Sequence, residues 1–259
     1  MENEITILSL EKKKTQYLVK TTEGDYLFHE DVILRYYIFK DKVFPISEFK
    51  KLLLDQDMTT NFQKAIRYLK YGPRSEAEIR EHLGDIQGWV TIKKRLSALG
   101  YIDDERFAKT MMDYYIRSQK GPAYIRQMLI QKKIGKSIID QTLQTYTDEI
   151  ETDVIRHLLV KEQLLHEKEP IAKQKQLILS KLIRLGFSSG PINHCVKEMT
   201  FVDNSGPKLK SDYEKLHSKY TKANLNPNEC NKKIIQALLI KGYDYQNIRQ
   251  VMKIDHDFE

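Results

Sequence analysis

Four stretches of the chain repeat one pattern, and that repeat constrains the fold more than any other feature. RLSALGYIDDERF, MLIQKKIGKSIIDQTL, LSKLIRLGFSSGPINHCV and IQALLIKGYDYQNIRQVM align on Tyr101, Ile134, Phe187 and Tyr243. Four and five residues before the last three stand apolar pairs: Ile130 with Leu129, Ile183 with Leu182, and Leu239 with Leu238. Five and nine residues after them stand Ile139 and Leu143, Ile192 and Val196, and Ile248 and Met252. The first copy keeps part of this, with Leu96 before and Phe107 displaced by one. Helical spacing on both sides of a turn marked by Gly100, Gly186 or Gly242 predicts a helix, a tight turn and a second helix, with the turn's aromatic or Ile tucked between them. The aligned positions are 33, 53 and 56 residues apart, so longer helices or insertions separate the later copies. Such units stack their apolar faces on one another, which predicts an elongated, curved array suited to extended partners.

The first segment reads differently. Alternation in ITILSL (Ile5, Ile7), QYLVK (Tyr17, Val19) and DYLFHE (Tyr26, Phe28), with a Gly-containing turn in TTEGD, predicts a small antiparallel β-meander. VILRYYIF fits a short helix on that sheet, while its β-branched and aromatic content leaves a strand open. PISEFKKLLL then opens a helix with Ser47 as N-cap after Pro45. From about residue 60, helices follow one another across breaks at Gly72-Pro73, Gly84 to Gly88, Gly121-Pro122, Gly190-Pro191, Asn204 to Pro207 and Asn224 to Asn228. Ser75 and Glu78 make the S-x-x-E pattern of a capping box. The expected organisation is a β-rich extension over 1–60, then helical repeats over 61–110, 111–150, 151–203 and, in degenerate form, 204–259.

A hydrophobic fraction of 41% can fill these cores, and no apolar run approaches the roughly 18 residues of a membrane span. The start MENEITILSLEKKK lacks the basic end and cleavage site of a signal peptide, so a cytoplasmic protein is expected. Cys195 and Cys230, with no C-x-x-C pair, read as reduced thiols rather than as a disulfide framework or zinc site. The net charge of +7 is unevenly placed: 9 Lys/Arg against 11 Asp/Glu over 1–60, 16 against 11 over 61–150, and 18 against 14 thereafter. That excess beyond the first segment suits an anionic partner, nucleic acid or an acidic protein groove, though ordinary soluble proteins also carry one.

The most concentrated cationic feature is YIRSQKGPAYIRQMLIQKKIGKSII. Between Asp113 and Asp140 it holds no acid, yet it holds Arg117, Lys120, Arg126, Lys132, Lys133 and Lys136. After Gly121-Pro122 resets the chain, Ile125, Met128 and Leu129 turn one way and leave Arg126, Lys132 and Lys133 facing outward. These residues, with Arg106, are the candidate contacts for a partner or DNA; a solvated face is the plain alternative.

Signs of catalysis fail on spacing. Gly135-Lys136-Ser137 imitates the end of a phosphate-binding loop, but the glycine needed five positions earlier is Ile130. Asp103, Asp104 and Glu105 could bind a divalent ion, but they begin a helix, where acids cap free amides. Histidines at 29, 82, 157, 166, 194, 217 and 256 form no H-E-x-x-H pair, and His194 beside Cys195 is adjacency rather than a nucleophile's geometry. Trp89, Tyr68 with Tyr71, and Tyr114 with Tyr115 sit where aromatics either pack between helices or stack on single-stranded bases. No cofactor is indicated.

Leu99-Gly100-Tyr101-Ile102-Asp103-Asp104 with Arg106-Phe107-Ala108, then Arg117, Lys120-Gly121-Pro122, Ile125 and Leu129, resemble the RecX family of bacterial recombination regulators. Leu69, Arg74, Ser75, Glu78 and Leu83 are in keeping with that family's first helix pair. The similarity is clear over about 62–145 and weaker to the end, with the β-rich start resembling an extension of longer members. One departure stands out: the family's second copy has a Lys-Gly-Ile turn, where this chain has Lys133-Ile134 with Gly135 one place late. The resemblance implies tandem three-helix repeats in an elongated curved array, with Gly100, Tyr101, Gly121 and Pro122 as turn residues. It also implies a monomeric, non-enzymatic negative modulator of the RecA recombinase, active in DNA repair and the SOS response. Such a protein would lie in the groove of the RecA filament on single-stranded DNA, block ATP hydrolysis and strand exchange, and promote filament loss. Two other functions fit the residues: a helix-turn-helix regulator binding DNA directly through Arg126, Lys132, Lys133 and Lys136, and a metal-dependent nuclease using Asp103, Asp104 and Glu105.

Overall fold

The computed structural model describes residues 4–223 and 226–253. Asn224 in the last predicted break, His256 and the first three residues lie outside the described residues. The chain divides into two compact units. Unit 1 runs from the N-terminus to Ala108 and takes in Ile130–Ile138; unit 2 comprises Lys109–Leu129 and the chain from Ile139 onward.

Unit 1 begins with strands β1 (Glu4–Lys13), β2 (Gln16–Thr21) and β3 (Gly24–His29), then helix α1 (Glu30–Arg35), strand β4 (Val43–Pro45) and helix α2 (Ile46–Leu69). The strands form one antiparallel sheet in the order β3-β2-β1-β4. The meander is therefore present, and a fourth strand joins its β1 edge. Three residues are too few for alternation to register in sequence. The alternating positions Ile5, Ile7, Val19 and Phe28 are buried as expected, and Phe44, Phe49 and Leu52 pack with them. VILRYYIF divides: α1 takes its first half, while Tyr37 adopts a left-handed φ of 48° that ends the helix.

α2 is capped differently from expectation. Pro45 occupies the N-cap position without a side-chain hydrogen bond, so Ser47 lies inside the helix. At 24 residues α2 is about 36 Å long. Its first turns pack on the sheet through Phe49 and Leu52, and its last turns bring Phe62 and Ala65 to a second core. Helices α3 (Glu76–Leu83) and α4 (Trp89–Ala98) complete that core with Ile79, Ile92 and Leu96. Gly72-Pro73 breaks the chain as expected, and Ser75 and Glu78 make both hydrogen bonds of a capping box.

α5 (Asp104–Arg117), α6 (Pro122–Gln131) and α7 (Lys136–Gln144) follow. In unit 2, α8 (Asp148–Leu165), α9 (Ile171–Arg184) and α10 (Ser189–Glu198) enclose Ile155, Leu159, Ile178, Leu182, Phe187 and Ile192. α11 (Gly206–Thr221), α12 (Pro227–Ile240) and α13 (Tyr245–Met252) enclose Leu209, Ile234, Leu238, Tyr243 and Ile248. Each core is thus a three-helix unit. One predicted break is absent: Gly190 and Pro191 sit in the first turn of α10, where a proline's missing N–H costs nothing.

The repeat is visible in the turns. Gly100, Gly186 and Gly242 have left-handed φ of 71°, 91° and 93°. Lys133 takes the same conformation at φ 57°, so the helix end that lacks glycine is closed by a lysine in the glycine's place. Ile134, Phe187 and Tyr243 then turn into their cores. The first copy corrects the alignment: Tyr101 is 48% exposed, and Ile102, at 5%, is the residue that tucks in. Counted from Ile102, Phe107 falls five residues on, as Ile139, Ile192 and Ile248 do in the other copies, and all four are buried. The first turn carries one extra residue. Of each apolar pair before the turn only Leu129, Leu182 and Leu238 are buried; Ile130, Ile183 and Leu239 face out.

Candidate functional site

The seven cationic candidates divide between the units, and the structure supplies partners that lie far off in sequence. In unit 1, Lys132 Nζ donates to Glu78 Oε1 at 2.7 Å, and Lys133 Nζ donates to Glu81 Oε2 at 2.7 Å. The Ser75 hydroxyl donates to the Lys132 carbonyl at 2.7 Å, tying the start of α3 to the turn after α6. Lys132 is accordingly half-buried rather than outward-facing. Glu78 is the hub of this cluster, with Arg74 at 3.8 Å besides Lys132. Burial pushes its carboxyl up, but hydrogen bonds from Lys132 and the Ser75 amide, with the two cations, outweigh that and hold it below the ordinary glutamate range. Arg106 is exposed in the first turn of α5, and Lys136 is exposed at the start of α7.

In unit 2, Arg126 Nη1 donates to Asp140 Oδ1 at 2.6 Å. The Lys120 ammonium lies 4.9 Å from the centre of the Tyr124 ring, and its carbonyl accepts the Tyr146 hydroxyl at 3.4 Å. Arg117 is exposed at the end of α5. Among the described residues Arg117 and Lys136 form no ion pair. The acid-free stretch therefore acquires acids by folding, and three of its six cations are bound to them.

Gly121 and Pro122 do more than interrupt a helix. Pro122 starts α6, and the Gly121 amide donates to the Leu185 carbonyl at 2.8 Å while the Ala123 amide donates to the Gly186 carbonyl at 3.0 Å. A Cβ on Gly121 would stand 2.3 Å from the Gly186 carbonyl oxygen, and one on Gly186 would stand 2.4 Å from the Tyr124 nitrogen. Two turns of unit 2 meet backbone to backbone, which only glycine permits.

Two of the three acids that could bind a divalent ion, Asp103 and Asp104, cap free amides instead. Asp103 Oδ1 accepts the Arg106 amide at 2.9 Å, and Asp104 Oδ1 accepts the Glu76 amide at 2.9 Å. Burial pushes the Asp104 carboxyl up, against the pull of that hydrogen bond. Among the described residues no group of three His, Cys, Asp or Glu is placed to hold a metal ion. Cys195 is buried in the α8–α10 core, which raises its thiol pKa, and His194 is exposed and turned to Glu198 at 3.3 Å. A nucleophile needs the opposite shift and a base aimed at it. Of the aromatics, Trp89 and Tyr68 pack on the α2–α4 core, whereas Tyr71 and Tyr114 are exposed.

The sequence signal missed Glu78, Glu81 and Asp140 as partners. The first two lie 54 and 52 residues from their lysines, and no local pattern links such positions.

The fold is that of a tandem three-helix repeat protein with a small β-sheet at its N-terminal end. Residues 103–143, essentially α5–α7, match the second three-helix domain of RecX. The regulatory protein RecX of Listeria monocytogenes serotype 4b (strain F2365) is 27% identical over 258 residues, covering 96% of this chain and 95% of that protein. That of Streptococcus pyogenes serotype M3 is 29% identical over 256 residues, covering 93% and 96%. A crystal structure of a regulatory protein RecX, 24% identical, superposes with a TM-score of 0.60 over 75% of this chain and all of the other. Over nearly its whole length the chain is thus similar to regulatory proteins named RecX, and over residues 103–143 to a domain of that family.

Proposed function

We propose that this protein is a non-enzymatic negative modulator of the RecA recombinase. In this reading it acts in the cytoplasm as a monomer, binds along the groove of the RecA filament on single-stranded DNA, slows ATP hydrolysis and strand exchange, and promotes filament disassembly. The observation that carries the reading is the recurrence of one three-helix unit closed by one left-handed turn, in a chain similar to regulatory proteins named RecX. A β-rich segment over 1–60 and four repeats over 61–110, 111–150, 151–203 and 204–259 are the proposed divisions. Repeats touching successive protomers add many modest contacts, so affinity arises by multivalency. A protein held at several points would resist the protomer rearrangements that hydrolysis requires.

Arg117 and Lys136, which no carboxylate of the described residues engages, are the first contacts we assign; Arg106, Lys120, Arg126, Lys132 and Lys133 complete the set. Acidic filament groups and the enclosed DNA are both targets for these cations. The test is RecA ATPase activity on single-stranded DNA, with the protein added after filament assembly. Inhibition is expected at well below one molecule per RecA protomer, and Arg117→Glu with Lys136→Glu should weaken it several-fold while helical circular dichroism is unchanged. No inhibition, together with tight binding to naked duplex whose log affinity falls by about 0.9 per phosphate contact per decade of salt, would make the protein a direct DNA-binding regulator instead.

A further inference from the structure

A cleft of about 610 Å³ lies wholly within unit 1, between the β2–β3 part of the sheet and the later half of α2. It includes none of the cations assigned above. Thr60, Gln63 and Arg67 line it from α2 and Lys70 from that helix's C-cap, at intervals of three, four and three residues that place them on one helical face. Gln16 and His29 line it from the strands.

A relay of hydrogen bonds joins the sheet to α2 beside the cleft. The His29 amide donates to the buried Gln56 Oε1 at 2.8 Å, fixing the end of β3 to α2. Gln56 Nε2 in turn donates to Thr60 Oγ1 at 3.0 Å, which leaves the Thr60 hydroxyl proton to donate elsewhere. The Gln16 amide and the His29 ring share a contact of 3.3 Å.

Charge decides what the cleft suits. Glu30, which also lines it, is engaged by the Tyr17 hydroxyl at 3.4 Å and by Lys12 at 3.8 Å. Arg67 and Lys70 form no ion pair among the described residues, although Asp31 lines the same cleft. Burial lowers the pKa of His29, Asp31 opposes that and Arg67 adds to it, so the ring is neutral at neutral pH. Two cations thus face one uncommitted carboxylate, with a hydroxyl and an amide as neutral donors beside them. One surplus positive charge beside these donors on a single cleft wall, with Arg67 and Lys70 exposed to solvent, suits a phosphate group.

We propose that this cleft binds a phosphate group, with Arg67 and Lys70 supplying charge and Gln63 and Thr60 supplying neutral hydrogen bonds. The group belongs either to a free phosphate or nucleotide or to a single-stranded DNA backbone, and the proposal does not depend on RecA.

The full-length protein would be titrated with inorganic phosphate, thymidine monophosphate and a short oligothymidylate while histidine ring resonances are followed by NMR, His29 being assigned with His29→Gln. A saturable shift at His29 with at least one probe is expected, together with a rise in its pKa, because a nearby anion favours the imidazolium. Arg67→Gln with Lys70→Gln should weaken that binding about tenfold or more, with circular dichroism unchanged. Saturation by phosphate and the monophosphate assigns the site to free phosphates; saturation by the oligonucleotide alone assigns it to a DNA backbone. No shift at His29 with any probe, or one that the double variant leaves intact, would overturn the proposal.

Discussion

Replacing Gly186 by Ala tests whether the meeting of two turns in unit 2 holds that unit together. The residue has φ 91°, and an alanine held in a left-handed conformation costs about 1–2 kcal/mol. The new Cβ would stand 2.4 Å from the Tyr124 nitrogen, a backbone atom that cannot rotate aside, so overpacking adds about 1–3 kcal/mol. Relieving the clash separates the turns and strains the bonds Gly121 N–H to Leu185 O and Ala123 N–H to Gly186 O, each contributing about 0.5–1.5 kcal/mol. Because these effects share one displacement they do not sum fully, and about 3–5 kcal/mol is expected. Gly100→Ala is the control: its φ of 71° carries the same conformational cost, but nothing stands within 4 Å of the added methyl, so only about 1–2 kcal/mol is expected. Urea unfolding followed by circular dichroism measures both. Equal destabilisation of the two variants would show that the close approach of the turns contributes nothing, leaving backbone conformation as the whole effect.

Ser75→Ala removes a buried cap acceptor and the donor to the Lys132 carbonyl, and should cost about 1–2 kcal/mol in the same urea assay. Acid titration separates two carboxyl groups displaced in opposite directions, Glu78 downward and Asp104 upward. Glu78 titrates below its ordinary value near 4.5, so the stability it lends is complete above that pH and is lost as pH falls through the folded value. Glu78→Gln should therefore flatten the acid limb of the stability curve below about pH 4.5. Asp104 titrates above its ordinary 3.8, so its contribution is present below that pH and is lost as pH rises through the folded value. Asp104→Asn keeps the oxygen that caps Glu76, and its stability relative to the parent should rise from acid toward neutral pH, read as urea midpoints.

The repeat was legible because a helix buries one stripe and its turn demands a left-handed residue, both of which leave marks at fixed short spacing. Leu129, Ile134 and Ile139 could be placed from sequence for that reason. The one-residue offset at Tyr101 was not legible, since Tyr and Ile are equally plausible core residues until Phe107 is counted from the correct one. β4 escaped because three residues carry no period. Pro45 displaced Ser47 as cap because the strand it ends already sets the extended backbone an N-cap needs. Exposure of Arg117 and Lys136 follows from the chain's local pattern, whereas the pairing of Lys132 and Lys133 depends on which helix folds back over them.

That pairing changes what a charge-reversal experiment at the basic stretch can mean. A glutamate at position 132 would face Glu78 where an ammonium now sits 2.7 Å away, in a half-buried cluster, so the variant would lose a favourable pair and gain a repulsive one. It would also unsettle the Ser75 contact to the same residue's carbonyl. Loss of partner binding by such a variant would report the folding of the α3 junction as much as any contact. At position 133 the pair with Glu81 is exposed and contributes little, and the left-handed backbone there is as strained for lysine as for glutamate, so reversal changes charge at a strained turn. Arg126 is held to Asp140 in the same way at an exposed site. Reversal at Arg117 and Lys136 disturbs no ion pair among the described residues and no left-handed backbone, so a defect in partner binding there would be a defect in recognition.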